Sequence, residues 1–263
     1  MSTLWPTLIE FLLRLATGLA VAMFLTSARS VTSGFFRIQS WVLMGLGTFA
    51  SLIIYSQSAR CESAQYESAG LAIGLSVAAA VTSYISAVVW MYESKVAGKV
   101  ALALVALLLI LAGNFSDPSS HGRSPILDNL DFGTGAMLLG SFLSAMLLGH
   151  WYLNFPGMQL APLKKLVLLC GASVVVRSLF SAYGITQLWL LGNMPNSTID
   201  WCFLVFRWLA GFVGPGVMAW LAWETLKVPN TQSATGILYA ALTLTFLGEL
   251  TSQLLSRGLP LPV

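Results

Sequence analysis

Five ionisable side chains stand inside long apolar stretches of the chain and are the first candidates for chemistry. They are Glu10, Arg14, Arg177, Arg207 and Glu249. A charged side chain costs about 2.5–3.5 kcal/mol at the centre of a membrane helix, so it is expected to face a bundle interior or a wet cavity and to be paired. Because such residues are functional by default, we predict that these five form a ligand-binding pocket.

Spacing and charge indicate what such a ligand would be. Glu10 and Arg14 are four residues apart, which places both on one face of a helix in the favourable order. Three arginines face two carboxylates among the five, and arginine is a planar, permanently charged donor suited to carbonyl and anionic oxygens. The spare positive charge predicts an anionic or carbonyl-bearing ligand. The alternative is an ion-pair network that holds helices together.

His150 is a further candidate, separate from these five residues. It lies in the stretch LLGHWYLNFPG and is followed directly by Trp151 and Tyr152. Such rings are enriched at the edges of membranes, so the favoured interpretation is an interfacial aromatic belt whose histidine reaches water. Since histidine titrates near neutral pH, the alternative is the inner end of a proton path.

Glycine and proline mark a break shortly after Arg207. The stretch FRWLAGFVGPGVMAW contains Gly211, Gly214 and Pro215, and proline removes a backbone donor whereas glycine allows close approach. This pattern predicts a kinked helix that lines a pocket, and the alternative is tight packing with a tolerated kink. The lone GxxxG pattern GLAIG, at residues 70–74, predicts plain helix packing.

The elements that must position these residues are membrane helices. Of the 263 residues, 57% are hydrophobic and 9% are charged, whereas a soluble domain carries about 25% charged residues. The apolar residues arrive in runs of about 20, the length that crosses the hydrocarbon core as an α-helix. We therefore predict an all-α, polytopic integral membrane helix bundle that forms a single domain over residues 1–263. Its eight predicted spans are 5–27, 38–56, 69–92, 98–113, 133–154, 166–191, 201–224 and 234–256.

Basic residues in the short loops predict the orientation of the bundle, because cytoplasmic loops carry the excess of lysine and arginine. The loops after spans one, three, five and seven hold Arg29, Arg37, Lys95, Lys99, Lys164, Lys165 and Lys227. Those after spans two, four and six hold Arg60, Arg123, Glu62, Glu67, Asp117, Asp128, Asp131 and Asp200. Both termini are thus predicted outside the cytoplasm, in a bacterial inner membrane. The five charged span residues then lie in the outer half or at the centre.

Several classes of function find no support in the chain. Cys61, Cys170 and Cys202 form no CxxC pair, so neither a disulfide framework nor a metal site is expected. The net charge of +3 comes without a basic stripe, so nucleic acid is not an expected partner. HExxH, GxSxG and Walker A patterns do not occur in the sequence, which leaves hydrolysis unsupported.

Two resemblances add expectations. The motifs LLGHWYLN (147–154) and TQSATGILY (231–239) resemble uncharacterised bacterial multi-span membrane proteins, to which no activity is attached. The eight spans, the outside termini and FLGEL, at residues 246–250, resemble the quinone-reactive membrane anchor subunits of the DMSO reductase and polysulfide reductase type. That second resemblance implies a quinol site near the outer face, a soluble iron–sulfur partner and a role for Glu249.

Three functions follow from these patterns. In the first, the chain is a membrane subunit of a redox complex that binds quinone or a similar amphipathic molecule. The ligand would then be bound, or protons exchanged, by Arg177, Arg207 and Glu249. Glu10 and Arg14 in span one would support these residues. The second is a transporter or channel for a small anion or proton-coupled solute, and the third is a structural or assembly protein without a ligand. Quinone is the possible cofactor, and the expected partners are the lipid bilayer and either soluble redox subunits or further copies of the chain.

Overall fold

The computed structural model describes residues 4–58, 63–116, 125–155, 157–192, 197–228 and 230–258. These residues form helices and the turns that join them, without a strand. The helices are α1 (Leu4–Leu25), α2 (Ser33–Ser58), α3 (Ser63–Met91), α4 (Lys95–Ser116), α5 (Pro125–Asn154), α6 (Ala161–Leu190), α7 (Thr198–Trp208), a π segment (Leu209–Val213), α8 (Gly214–Lys227) and α9 (Thr231–Gly258). The chain divides into two compact units, Met1–Ser119 and Ser120–Val263.

Eight helical segments in the described ranges are long and apolar enough to cross a membrane. They correspond one to one with the eight predicted spans, because α7, the π segment and α8 form one continuous segment, Thr198–Lys227. The all-α prediction is thereby confirmed for the described residues. Insertion into a membrane, the side on which the termini lie and the single domain remain predictions.

In the first unit, an aromatic contact joins α2, α3 and α4 where α3 ends. Trp90 at the end of α3 is fully buried and stacks on Phe36 of α2, with ring centroids 4.3 Å apart. Gly98 of α4 lies directly over the Trp90 ring, where an added Cβ would come within 2.4 Å of it. Glycine at this position therefore lets α4 pack onto the indole, which holds α2, α3 and α4 together.

In the second unit, α9 packs against α5, α7, the π segment and α8. It comes closest to the π segment where Gly248 faces Gly211, since a Cβ added to Gly248 would lie 2.2 Å from the Cα of Gly211. Small residues of this kind let helix backbones meet. The GLAIG pattern does not serve this purpose, because a Cβ at Gly70 or Gly74 would meet no atom of the described residues within 4 Å. The packing prediction for that pattern is wrong.

The predicted break after Arg207 is a π segment, so the span stays helical throughout. The N–H of Gly214 donates to the carbonyl of Leu209, five residues earlier. Pro215 comes next and has no N–H with which to continue the α-helical ladder. The wider turn accommodates this missing donor, and π segments of one turn are frequent at functional sites.

Helix α5 begins at Pro125, eight residues before the predicted span. Proline is well suited to the first position of a helix, and Asp128 lies in the first turn, where an acidic side chain interacts favourably with the helix dipole. Asp131, which the loop count had assigned to water, is therefore helical and buried. This error in the predicted boundary changes the charge of the candidate site.

Candidate ligand site

Four charged side chains from four helices meet inside the second unit. They are Asp131 of α5, Arg177 of α6, Arg207 of α7 and Glu249 of α9, and all four are buried. Three of them are predicted site residues, and Asp131 is the addition. Burial of charges is tolerated when they are paired and hydrogen-bonded, so the contacts between them decide what the group can do.

Glu249 is the centre of this charge network. Its Oε1 accepts from Arg177 Nε at 3.1 Å and from Arg207 Nη2 at 2.7 Å. Its Oε2 accepts from Arg177 Nη2 at 3.2 Å. One carboxylate thus joins α6, α7 and α9, and its contact with Arg177 is the two-point geometry that makes such pairs strong.

Arg177 is engaged through all three of its nitrogens. Besides its contacts with Glu249, Nη1 donates to Asp131 Oδ1 at 2.6 Å, to the Asp131 carbonyl at 3.2 Å and to Thr134 Oγ1 at 3.0 Å. Nη2 also lies 3.5 Å from Ser252 Oγ. The donors of Arg177 are thus directed at protein oxygens.

Arg207 differs, because most of its donors are unused. The side chain is 0% exposed, yet among the described residues its Nε and Nη1 have no hydrogen-bond partner. The guanidinium carbon lies 4.2 Å from the centre of the Phe212 ring, and an added Cβ on Gly211 would lie 2.3 Å from Nη1. The π segment therefore supplies an aromatic face and a bare backbone against this guanidinium.

Gln253 is a second buried group with unused hydrogen-bonding capacity. It is 3% exposed, and neither its amide nitrogen nor its amide oxygen has a partner among the described residues. It lies one turn after Glu249 on the same face of α9. Ser181 holds the equivalent position after Arg177, and its buried hydroxyl also has no partner in the part of the chain that the structure describes.

Beyond these groups lies an apolar cluster. It consists of Leu188 of α6, Leu204 of α7 and Leu255 of α9, with Ile185 and Trp208 packed against it. These residues lie toward the ends of the three helices that the loop charges predict to face outside. The polar groups of the second unit thus have an apolar layer on the predicted outer side.

The other two predicted site residues belong to the first unit. Arg14 is buried, and its Nη2 donates to Glu10 Oε1 of the same helix. The Glu10 side chain is 24% exposed. The pairing predicted from their spacing is confirmed.

His150 lies near the end of α5 and is exposed. Its ring meets that of Tyr239 on α9 edge to face, with centroids 6.4 Å apart. It lies nineteen positions after Asp131 in α5, about 28 Å along the helix. It therefore lies in an aromatic setting at the end of α5 opposite to the charge network, and its role in a proton path stays a prediction.

The prediction of a spare positive charge at the site is wrong. In the second unit two arginines face two carboxylates, because Asp131 pairs with Arg177. Sequence reasoning missed Asp131 because it placed the start of span five too late, although Pro125 marked an earlier start. It also missed Gln253, which occurs in the polar-looking end TSQLLSR of the last span, where a glutamine gives no signal of burial.

Comparison with known proteins finds no family model that matches the chain and no curated protein or solved structure similar to it. The two resemblances noted in the sequence therefore remain expectations, and the site itself is the basis for a functional assignment.

Proposed function

We propose that the chain is an integral membrane protein whose second unit binds a neutral, oxygen-bearing amphipathic molecule of the quinone kind beside Arg207. The observation that carries the proposal is the pair of unpartnered, fully buried donors on Arg207. A buried donor without a partner is costly, and buried polar groups in native proteins are satisfied in the great majority of cases. A carbonyl oxygen is a suitable acceptor for either of these nitrogens. Because Nε and Nη1 direct their N–H groups to different edges of the guanidinium, each would need an oxygen of its own.

The charge balance favours a neutral ligand over an anion. Each arginine of the network already has a carboxylate partner, so an added anion would bring unbalanced charge into the interior. Gln253 offers an amide NH₂ group as donor and an amide oxygen as acceptor, which suits a carbonyl or hydroxyl oxygen. The apolar cluster of Leu188, Leu204 and Leu255 supplies contact for a ring or chain.

In this proposal the residues have distinct parts. Arg207 and Gln253 bind the ligand oxygens, and Arg177 together with Asp131 holds Glu249 in place. A quinone would supply redox chemistry, and the redox-complex form of the proposal adds a soluble iron–sulfur partner. Copurification of such a subunit with the tagged full-length chain would test that form separately from ligand binding.

Decylubiquinone and the thermal unfolding of the full-length protein in detergent provide the test. A ligand at about 100 times its Kd stabilises a protein by about 2.7 kcal/mol, so a rise in Tm is expected. Gln253→Leu should abolish or sharply reduce this rise. The variant itself should be as stable as the unaltered protein or more so, because a leucine leaves no buried polar atom unsatisfied.

Gln39→Leu is the matched control, since Gln39 of α2 is a buried glutamine in the first unit whose Oε1 also has no partner among the described residues. It should keep the full response to decylubiquinone. Decanoate, an anionic amphiphile, should raise Tm less than the quinone does. If the unaltered protein shows no response, or Gln253→Leu responds fully, the network has the structural role instead.

A further inference from the structure

The first unit contains a groove at one end that plays no part in the proposed ligand site. It has a volume of about 850 Å³ and lies between the end of α1 with the turn that follows it and the first turns of α4. Its lining includes Phe24, Leu25, Arg29, Lys95 and Val96. This is the end of the unit that the loop charges predict to face the cytoplasm.

Lys99 fixes the base of the groove. Its ammonium donates to the carbonyl of Met23 at 2.9 Å and to those of Phe24 and Thr26. The last carbonyls of a helix lack intrahelical partners, and a lysine can satisfy them while it compensates the negative end of the helix dipole. The ammonium also lies 5.2 Å from the centre of the Phe36 ring. Lys99 thus joins α1 to α4 and gives the groove a fixed shape.

Arg29 and Lys95 are the charged residues at its mouth. One follows α1 and the other begins α4, and both side chains are exposed. The ion pairs among the described residues involve neither of them. Arg37 adds a further exposed cation in this part of the unit, and Glu93 in the turn before α4 is an exposed anion. Cations thus outnumber anions around the groove, which favours a negatively charged group between Arg29 and Lys95.

The sides of the groove are apolar and open. Val96 is 79% exposed and Val100 63% exposed, and Phe24 and Leu25 also present large exposed surfaces. A soluble anion such as phosphate would leave these side chains without contact. A phospholipid matches both parts, because basic pockets between membrane helices bind anionic headgroups and apolar side chains contact acyl chains.

We propose that this groove binds an anionic phospholipid, with the headgroup phosphate between Arg29 and Lys95 and an acyl chain against Phe24, Leu25 and Val96. The proposal shares with the proposed function only the location in a membrane. It is independent of the ligand site in the second unit, so either can fail without the other.

Native mass spectrometry of the full-length protein in detergent, with phosphatidylglycerol or phosphatidylcholine added, tests the proposal. The double variant R29Q/K95Q should bind phosphatidylglycerol about 30-fold more weakly, since each basic side chain near an anionic lipid contributes about fivefold. Binding of phosphatidylcholine should be weak in both proteins. The control K164Q/K165Q has the same net charge as the variant and should bind phosphatidylglycerol as the unaltered protein does.

A second variant tests the groove without a change in charge. Ala103 lines it, and Ala103→Trp should block the acyl chain and weaken phosphatidylglycerol binding. Equal losses in R29Q/K95Q and the control would show general attraction and overturn the proposal. Undiminished binding by Ala103→Trp, or displacement of the lipid by glycerol 3-phosphate at equal concentration, would also overturn it.

Discussion

The two units bury their charges in different ways. In the first, Glu10 and Arg14 lie one turn apart on α1, and the carboxylate reaches the surface. In the second, Asp131, Arg177, Arg207 and Glu249 come from four helices and all four are buried. A local pair of this kind forms as soon as its helix does. A cross-helix network forms when the helices have packed, so its loss should affect the whole unit.

The largest loss of stability in this comparison is expected from Glu249→Gln. The substitution leaves two buried guanidinium groups without their shared carboxylate, and breaking a buried ion pair costs about 3–5 kcal/mol. Unfolding of the full-length protein in mixed micelles with increasing denaturing detergent measures the loss. Glu224→Gln is the control, because Glu224 forms an exposed pair with Lys227, which should contribute at most about 1 kcal/mol. Equal effects at the two positions would contradict the distinction between buried network and surface pair.

Asp131→Asn should lower the free energy of unfolding by an intermediate amount. It removes one charged partner of Arg177, which keeps its two contacts with Glu249, so the loss should be about 1.5–3 kcal/mol, the contribution of a hydrogen bond to a charged group. The same unfolding measurement applies. Asp200→Asn, in the first turn of α7, is the control and should cost about 0.3–1 kcal/mol through the helix dipole. A loss no larger than that of the control would place Asp131 outside the network.

Gly248→Ala tests the helix crossing that brings Glu249 to Arg207. The added Cβ would meet the backbone of Gly211, which neither helix can relieve without moving, and overpacking of this kind costs about 1–3 kcal/mol. Gly70→Ala is the matched control, because a Cβ added to Gly70 would meet no atom of the described residues within 4 Å and alanine favours the helix. Thermal unfolding should separate the two variants clearly. A stable Gly248→Ala protein would show that the crossing adapts.

The smallest effect is expected from Glu10→Gln. The pair lies within one helix, and its carboxylate is partly exposed whereas Arg14 is buried. Its loss should therefore cost about 0.5–1.5 kcal/mol, as for an intramolecular hydrogen bond, which is more than a surface pair and less than the fully buried network. Added salt should reduce the difference between the variant and the unaltered protein further. An effect as large as that of Asp131→Asn would show that this pair also depends on tertiary packing.

The sequence predicts those parts of the molecule that depend on local pattern. The run lengths predict eight helices, and the rarity of charges in apolar runs points to Arg177, Arg207 and Glu249. The contacts among them depend on tertiary packing, which no spacing along the chain encodes. Gly70 and Gly248 show the limit plainly, because the neighbour of each glycine decides its role. Asp131 was not predicted as a site residue for a different reason, namely that its helix begins two turns before its apolar run.

The π segment also sets the rotational phase of α8. Arg207 and Pro215 are eight residues apart, which in a continuous α-helix would separate their directions by about 80°. A turn that absorbs one extra residue reduces this to about 20°. The buried stripe of α8, which is Pro215, Ala219, Ala222 and Leu226, therefore continues on the side of Arg207. Deletion of one residue from the π segment would leave seven α-helical steps between them, which keeps their directions about 20° apart and α8 in the same phase. Homologous chains with an unbroken α-helix here should therefore be one residue shorter.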